Sequence, residues 1–226
     1  MVIPLHTSLD SLHIHTYGSR RNLLNTVLED QNIKYCSIDN VIEIPESTDI
    51  VFASGVYEII HEKILKKARY GFVCFHETPL PEGRGNAPLQ WTVLNDKKHL
   101  TVTAFQATKG MDAGDIVYQH NTSILRTDTL NELEVKRQQG IQFCLKGILE
   151  EMKEGYLVKR PQSGASSTSP KRNPVDSELD YTKPLIELWD QIRICDNASF
   201  PAFFKLDGKL ILLRYEVIED NSSKQD

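Results

Sequence analysis

Residues 74–91 read CFHETPLPEGRGNAPLQW, and residues 109–117 read KGMDAGDIV. The continuous apolar run from Phe72 to Phe75 predicts a strand that is buried on both faces, and the single histidine His76 follows it directly. The loop after His76 is rich in proline and glycine, which fix backbone angles and let the main chain approach a ligand closely. The second segment contains an Asp-Ala-Gly-Asp turn, 112–115. Together these features are typical of a functional site built on a rigid loop.

Strand and helix patterns alternate along the rest of the chain. Short apolar runs predict strands, and apolar residues at helical spacing predict helices. The predicted strands are 12–15, 35–38, 50–53, 72–75, 101–105 and 116–118, and the predicted helices are 21–29, 58–68, 87–94, 131–153 and 185–194. This alternation predicts an α/β protein with a Rossmann-like, open and mostly parallel sheet, in which 35–38 and 50–53 are buried strands. Ligands of such sheets bind at the carboxyl ends of strands, which is where His76 lies.

Composition divides the chain into four parts. Residues 161–174, PQSGASSTSPKRNP, are rich in serine, proline and glycine and are interpreted as a linker or a long ordered loop. We therefore expect a catalytic domain of residues 1–160 and a small C-terminal α/β extension of residues 175–219. Apolar residues on both sides of Asp207-Gly208 predict a hairpin in this extension. Residues 220–226 are expected to be disordered.

Charge and cysteine usage exclude several classes of function. The net charge of −5 gives no general attraction to nucleic acid or to an anionic membrane. The 4 cysteines form no Cys-x-x-Cys pair and have no zinc-ligand spacing. No apolar run approaches the ~20 residues that a membrane-spanning helix needs. We expect a cytoplasmic protein with free thiols, without a targeting segment, that binds neither nucleic acid nor membrane.

The two quoted segments resemble the folate-dependent formyltransferases, which transfer a formyl group from N10-formyltetrahydrofolate to an amine. The elements that carry the resemblance occur in the family's order: His76, Thr78-Pro79-Leu80-Pro81, Arg84-Gly85, Pro88-Leu89-Gln90-Trp91 and Asp112-Ala113-Gly114-Asp115. The resemblance implies the formyltransferase fold, a cis peptide bond between Leu80 and Pro81, and N10-formyltetrahydrofolate as a co-substrate without a metal. One position departs from the family, because its asparagine two residues before the histidine is Cys74 in this chain.

The candidate catalytic residues are His76, Asp112 and Cys74. Formyl transfer needs a group that accepts the proton of the amine, and histidine suits this role. A nearby carboxylate, for which Asp112 is the candidate, can orient the imidazole and stabilise its cation. The developing oxyanion needs a donor, and a thiol is a weak one. His76, a backbone N–H or Asn86 would then replace the family's amide. A nucleophilic thiolate at Cys74 is an alternative that its apolar strand disfavours.

The resemblance also indicates where the two substrates bind. Donor binding is expected at the loops after the central strands, through Ser54, Gly55, Val56, Tyr57, Thr78, Leu80, Arg84, Met111 and Asp115. The chain after Arg172 resembles bacterial enzymes that N-formylate nucleotide-linked amino sugars. Within these it is similar to the pseudaminic-acid branch, which acts on a UDP-linked 4-amino-4,6-dideoxy sugar. The residues expected to bind this acceptor, by stacking or by pairing with diphosphate, are Asn86, Arg172, Arg193, Asn197 and Phe200.

Other interpretations stay open from the sequence. A folate-binding pseudoenzyme would also account for the missing asparagine, and the acceptor could be methionyl-tRNA or another amine. Initiator-tRNA formyltransferases carry a sizeable further C-terminal domain and a basic surface, so length and charge disfavour tRNA. The turn Gly18-Ser19-Arg20-Arg21 before a helix could bind an anion. His13 and His15 share a strand face, but no carboxylate or cysteine completes a metal site. A homodimer is compatible with all of these.

Overall fold

The computed structural model describes residues 1–220. The α-helices are α1 Arg21–Asp30, α2 Glu62–Leu65, α3 Pro88–Leu94, α4 Leu130–Lys153 and α5 Leu185–Arg193. The strands are β1 Val2–Pro4, β2 Ile14–Tyr17, β3 Cys36–Ser37, β4 Ile50–Ala53, β5 Gly71–His76, β6 Arg84–Gly85, β7 His99–Gln106, β8 Ile116–Ser123, β9 Tyr156–Val158, β10 Thr168–Ser169, β11 Ala202–Leu206 and β12 Lys209–Leu213. None of the described helices is both long enough and apolar enough to cross a membrane.

A six-stranded sheet in the order β3-β2-β4-β5-β7-β8 forms the centre of the molecule. Strands β3, β2, β4 and β5 are mutually parallel, whereas β7 and β8 are antiparallel to their neighbours. Helices α1 and α4 cover one face, where Leu24, Leu28 and Leu145 are fully buried. A smaller apolar cluster that includes Val51 and Phe72 covers the other face. The predicted α/β fold with an open, mostly parallel sheet is confirmed.

Three predicted elements differ in the structure. The strand expected over 12–15 is β2, Ile14–Tyr17, so Leu12 and His13 precede it. The helix expected over 58–68 is reduced to the single turn α2, since 54–61 form an irregular loop in which Ile60 is buried and Ile59 is 69% exposed. Apolar spacing could not distinguish a helix from a loop that turns one isoleucine inward. The strand expected over 35–38 is β3 at the sheet edge, and both of its residues are exposed rather than buried.

The segment interpreted as a linker or long ordered loop is ordered in its first part. Strand β10 pairs in parallel with β6. Strand β6 ends the loop of residues 77–85 that follows His76, here called the histidine loop. Arg84 N donates to Ser167 O at 3.0 Å, and Asn86 N donates to Ser169 O at 3.0 Å. Residues 161–169, here called the strap, therefore run across the loop that follows β5. A pairing of two residues per strand leaves no periodicity in the sequence, so sequence patterns could not locate it.

The C-terminal part contains α5 and the hairpin of β11 and β12. Its own apolar cluster consists of Leu179, Leu188, Ile192, Cys195 and Ala202. Ile194 lies outside this cluster and packs with Leu89 of α3 and Leu133 of α4 in the main body. The predicted hairpin turns at Asp207 and Gly208, whose φ angles of 49° and 72° fit a two-residue turn of the primed type. Residues 221–226 of the predicted disordered tail lie outside the described residues.

Candidate active site

A cleft of about 440 Å³ opens at the carboxyl ends of β4 and β5. Its walls are the loop after β4, the end of β5, the start of α3, the turn before β8 and one stretch of α4. The predicted site residues that line it are Gly55, Val56, Tyr57, Cys74, His76, Asn86, Met111 and Asp112. The three residues proposed for catalysis therefore lie in one cleft, at the end of the sheet where ligands of open α/β folds bind.

His76 ends β5 and is 6% exposed. Its Nε2 lies 2.9 Å from the carbonyl oxygen of Gly83, and a carbonyl can only accept a hydrogen bond. The neutral ring must therefore carry its proton on Nε2 and present an unprotonated Nδ1. That Nδ1 lies 3.8 Å from Oδ2 of Asp112. If Nδ1 takes up a proton, the negative charge of the Asp112 carboxylate stabilises the resulting imidazolium.

Asp112 is held in place by the histidine loop. Its Oδ2 accepts a hydrogen bond from Gly85 N at 2.9 Å. Its backbone has a φ of 48°, a left-handed conformation that aspartate tolerates better than most residues. The sequence assigned to Asp112 both the orientation of the imidazole and the stabilisation of its cation. In the structure the Gly83 carbonyl contacts the proton-bearing nitrogen, and Asp112 faces the nitrogen that accepts a proton.

Cys74 lies two residues before His76, so both side chains project to the same face of β5. Desolvation, with a further contribution from the Asp112 carboxylate, raises the pKa of the Cys74 thiol to about 12. The thiol is therefore protonated at neutral pH. This environment disfavours a nucleophilic thiolate, because cysteine attacks as the anion.

The residues proposed for donor binding divide into three groups. Gly55, Val56, Tyr57 and Met111 line the cleft, whereas Ser54, Thr78 and Leu80 are buried beside it. Arg84 donates to Gln162, and Asp115 continues the chain into β8. Gly55 has a φ of 71°, and a Cβ there would lie 2.3 Å from Ser19 Oγ, so this position in the wall of the cleft requires glycine. The Leu80-Pro81 bond is cis, as the resemblance implies.

The acceptor-binding candidates other than Asn86 lie away from this cleft. Arg193 is 4% exposed and donates to the carbonyls of Leu125 and Asp128. The Asn197 side chain donates to Tyr215 O and accepts from Tyr215 N. Their polar atoms are thus occupied within the protein. The remaining two are Arg172, whose guanidinium lies 5.9 Å from the Trp91 ring centre, and Phe200, which is 67% exposed.

Two arginines that the sequence did not select for the site line the cleft. Arg20 ends the turn before α1, which the sequence predicts only as a separate anion site. Its guanidinium lies 5.9 Å from the Tyr57 ring centre. Arg137 projects from α4 and is 7% exposed, with Glu77 and Glu134 beside it. Its buried Nε has no hydrogen-bond partner among the described residues. Arg137 lies between Leu133 and Ile141 on the buried face of α4. A charged residue at such a position is the sequence signal that could have identified it.

A family model described as formyl transferase matches residues 38–142. This stretch includes β4, β5, the histidine loop, the Asp112 turn and the first half of α4. Residues 38–142 thus carry the sequence features of a formyl transferase domain. The match covers every residue that forms the walls of the cleft except Arg20.

Solved structures share the fold over nearly the whole chain. Methionyl-tRNA formyltransferase from Clostridium thermocellum is 21% identical with a TM-score of 0.73, covering 93% of this chain and 95% of that one. A sugar N-formyltransferase from Shewanella sp FDAARGOS_354 is 16% identical with a TM-score of 0.73, covering 92% and 99%. The formyltransferase PseJ from Anoxybacillus kamchatkensis, solved with UDP-4,6-dideoxy-4-formamido-L-AltNAc and tetrahydrofolate, is 23% identical with a TM-score of 0.62, covering 79% and 94%.

These structures correct one expectation. From the sequence, the length of the chain disfavours a tRNA-directed enzyme. The chain covers 95% of the Clostridium methionyl-tRNA formyltransferase chain, so length does not separate the two classes of acceptor. Within residues 1–220 there is no group of three or more His, Cys, Asp or Glu residues that could hold a metal ion.

Proposed function

We propose that this formyl transferase moves the formyl group of N10-formyltetrahydrofolate to the amine of a nucleotide-linked amino sugar. The observation that carries the proposal is the pairing of His76 Nδ1 with Asp112 in the cleft, 3.8 Å apart, while Nε2 is fixed by the Gly83 carbonyl. This geometry suits a base that accepts one proton from an attacking amine. A UDP-linked 4-amino-4,6-dideoxy sugar is the acceptor that the C-terminal resemblance favours.

His76 and Asp112 divide the proton chemistry between them. The folate supplies the formyl group and leaves as tetrahydrofolate. As the amine nitrogen bonds to the formyl carbon, it loses a proton, which His76 accepts at Nδ1. Asp112 then faces an imidazolium, and the ion pair stabilises that state. The same proton can be returned to the departing folate nitrogen, so the residues end the reaction as they began it.

The oxyanion needs a donor because Cys74 holds the position of the family's asparagine. A protonated thiol donates weakly, whereas one preorganised donor is worth on the order of 10²–10³ in rate. The side-chain amides that line the cleft belong to Asn86 and Gln90. Asn86 follows the Arg84-Gly85 strand, is exposed, and is the donor that we favour.

The cleft offers groups that suit both substrates. The loop from Gly55 to Tyr57 and the turn at Met111 offer main-chain groups, which match the donors and acceptors of a pterin edge. Arg20 offers a cationic group for the diphosphate of the acceptor. Arg137 offers a second through its Nε, which has no hydrogen-bond partner among the described residues although Glu77 and Glu134 lie beside the guanidinium. The sequence assigned the diphosphate to Arg172 or Arg193. We now assign it to the arginines of the cleft, since the Arg193 guanidinium is occupied by main-chain carbonyls.

The charge of the chain favours a small acceptor over tRNA. Proteins that bind nucleic acid neutralise several phosphates with lysine and arginine, and this chain has a net charge of −5. A nucleotide sugar presents only two phosphates, which two arginines can meet. A folate-binding pseudoenzyme remains the second candidate, since Cys74 replaces the asparagine.

Formyl transfer is tested by supplying N10-formyltetrahydrofolate with separate acceptors and following the release of tetrahydrofolate. The panel contains UDP-linked and TDP-linked 4-amino sugars, methionyl-tRNA and the same sugars without an amine. We expect turnover with an amino sugar alone. Turnover with methionyl-tRNA instead would overturn the acceptor assignment, and donor binding without turnover of any amine would support the pseudoenzyme.

The same assay tests the roles of His76 and Asp112. His76→Ala should lower kcat by about 10²–10⁴-fold with the fold retained, because the amine loses its proton acceptor. Asp112→Asn should act in the same direction. His99→Ala, which changes an exposed histidine at the start of β7, is the matched control and should leave kcat unchanged. A folded His76→Ala variant with near-normal turnover would refute the role of His76.

A further inference from the structure

We infer that Gln162, in the strap, is a positioning residue that holds Asp112 against His76. Its amide nitrogen donates to Asp112 O at 2.8 Å and to Gly114 O at 2.8 Å. One side chain thus holds two carbonyls of the Asp-Ala-Gly-Asp turn from outside the formyl transferase domain. The kinetic part of this inference rests on the proposed function.

Arg84 determines which way the Gln162 amide lies. Its Nη2 donates to Gln162 Oε1 at 2.5 Å, and a guanidinium can only donate. The amide oxygen must therefore face Arg84, which leaves both N–H groups for the turn. Arg84 belongs to β6, and β6 in turn pairs with β10 of the strap. The strap, β6 and the turn consequently form one connected hydrogen-bonded unit.

This unit fixes the two groups that the proton transfer needs. Gly83 O accepts from His76 Nε2, Gly85 N donates to Asp112 Oδ2, and Arg84 between them holds Gln162. The Asp112 backbone has a left-handed φ of 48°, which is costly for a residue other than glycine unless its surroundings hold it. Without the donors of Gln162, we expect the turn to relax and the carboxylate to move away from Nδ1.

Gln162→Met tests the inference, because methionine keeps the length of the side chain and loses both donors. A shift of about 1 Å in a catalytic group can cost on the order of 10²-fold in rate. We expect kcat to fall by that amount while KM for both substrates changes little. Gln162→Glu keeps an acceptor for Arg84 but removes the N–H groups, so it should not rescue kcat.

Gln191 provides a matched control, since its Nε2 also donates to two carbonyls, those of Asp176 and Glu178, in the C-terminal part. Gln191→Met should leave kcat unchanged. In an Asp112→Asn background, Gln162→Met should lower kcat little further, because both changes act through one carboxylate. Full kcat in folded Gln162→Met, or a fully additive loss in the double variant, would overturn the inference.

A second measurement does not depend on activity. The Gly85 amide donates to the Asp112 carboxylate, so its hydrogen exchange reports whether that carboxylate stays in place. We expect faster exchange at Gly85 in Gln162→Met and not in Gln191→Met. Unchanged exchange at Gly85 would refute the positioning role even if the wild-type protein transferred no formyl group. If the wild-type protein transferred no formyl group but its Gly85 amide exchanged slowly, that result would count against the proposed function alone.

Discussion

At the scale of single residues, Cys74 is the position where the chain departs from the formyltransferases that it resembles. The raised pKa of about 12 comes from burial and from the neighbouring Asp112 carboxylate. A thiol of this kind neither attacks as a thiolate nor donates strongly. The position is therefore best explained as a small residue of the sheet that another donor compensates.

Substitution of Cys74 tests this explanation. Cys74→Ser should keep kcat within about tenfold, a change of less than about 1.4 kcal/mol in the barrier. Cys74→Asn restores the family's amide and should raise kcat, by up to on the order of 10²-fold. If Cys74 were the nucleophile, both variants would instead lose all turnover. Because the raised pKa keeps the thiol protonated, alkylation by iodoacetamide should be slow at pH 8, and its rate should rise steadily with pH and level off only near pH 12.

The sequence predicted the catalytic candidates more completely than their surroundings. His76 and Asp112 stand in motifs whose spacing can be read directly, and the structure places them 3.8 Å apart. The Gly83 carbonyl that fixes the imidazole could not be predicted, because a main-chain group has no residue type to recognise. Arg137 was missed for another reason, since its neighbours Glu77 and Glu134 are brought to it by the fold and by the helix turn.

At the scale of secondary structure, α4 shows how a helix is adapted to the sheet beneath it. Gly140 and Gly147 lie on its buried face, seven residues apart. A Cβ on Gly140 would lie 2.6 Å from Val102 Cγ2, and one on Gly147 would lie 2.4 Å from the Tyr118 ring. Glycine costs a helix roughly 0.5–1 kcal/mol relative to alanine, so its use here indicates close packing on β7 and β8.

Gly147→Ala should therefore destabilise the protein although alanine favours helix. We expect the free energy of unfolding to fall by about 1–3 kcal/mol, because the methyl group overpacks against Tyr118. Urea denaturation measures it, with Lys146→Ala on the exposed face of α4 as the near-neutral control. In a Tyr118→Val background the same change should cost less or stabilise. If Gly147→Ala raised the free energy of unfolding in the native background, the Tyr118 ring would be shown to move aside without loss of stability.

Long elements with a clear period could be predicted, and short or non-local ones could not. The bounds of α1, α4 and α5 lie within one residue of the predicted ranges, because their apolar faces repeat over several turns. Strands β1 and β9 have three residues each, and β6 and β10 have two. Such segments are strands only because of their partners, so their own residues give no signal.

At the scale of the whole molecule, Arg193 joins the C-terminal part to the main body. Its guanidinium donates to Asp128 O at 2.6 Å and to Leu125 O at 3.2 Å. Trp189 Nε1 donates to Arg126 O at 2.7 Å in the same loop. The C-terminal part therefore covers α3 and the start of α4, both of which line the cleft. Deletion of this part would expose Ile194's apolar partners, so a point substitution is the cleaner test of its role.

Arg193→Met should lower the free energy of unfolding by about 1–3 kcal/mol, because two main-chain carbonyls lose a buried donor. It should leave KM for the donor and for the nucleotide sugar unchanged, since Arg193 does not line the cleft. The control is Lys205→Met, which removes an exposed ion pair with Glu178 in the same part and should cost at most about 1 kcal/mol. Kinetics should be measured well below the melting temperature of each variant. A raised KM for the acceptor with unchanged stability would return Arg193 to the substrate-binding role that the sequence suggested, and would place the diphosphate outside the cleft.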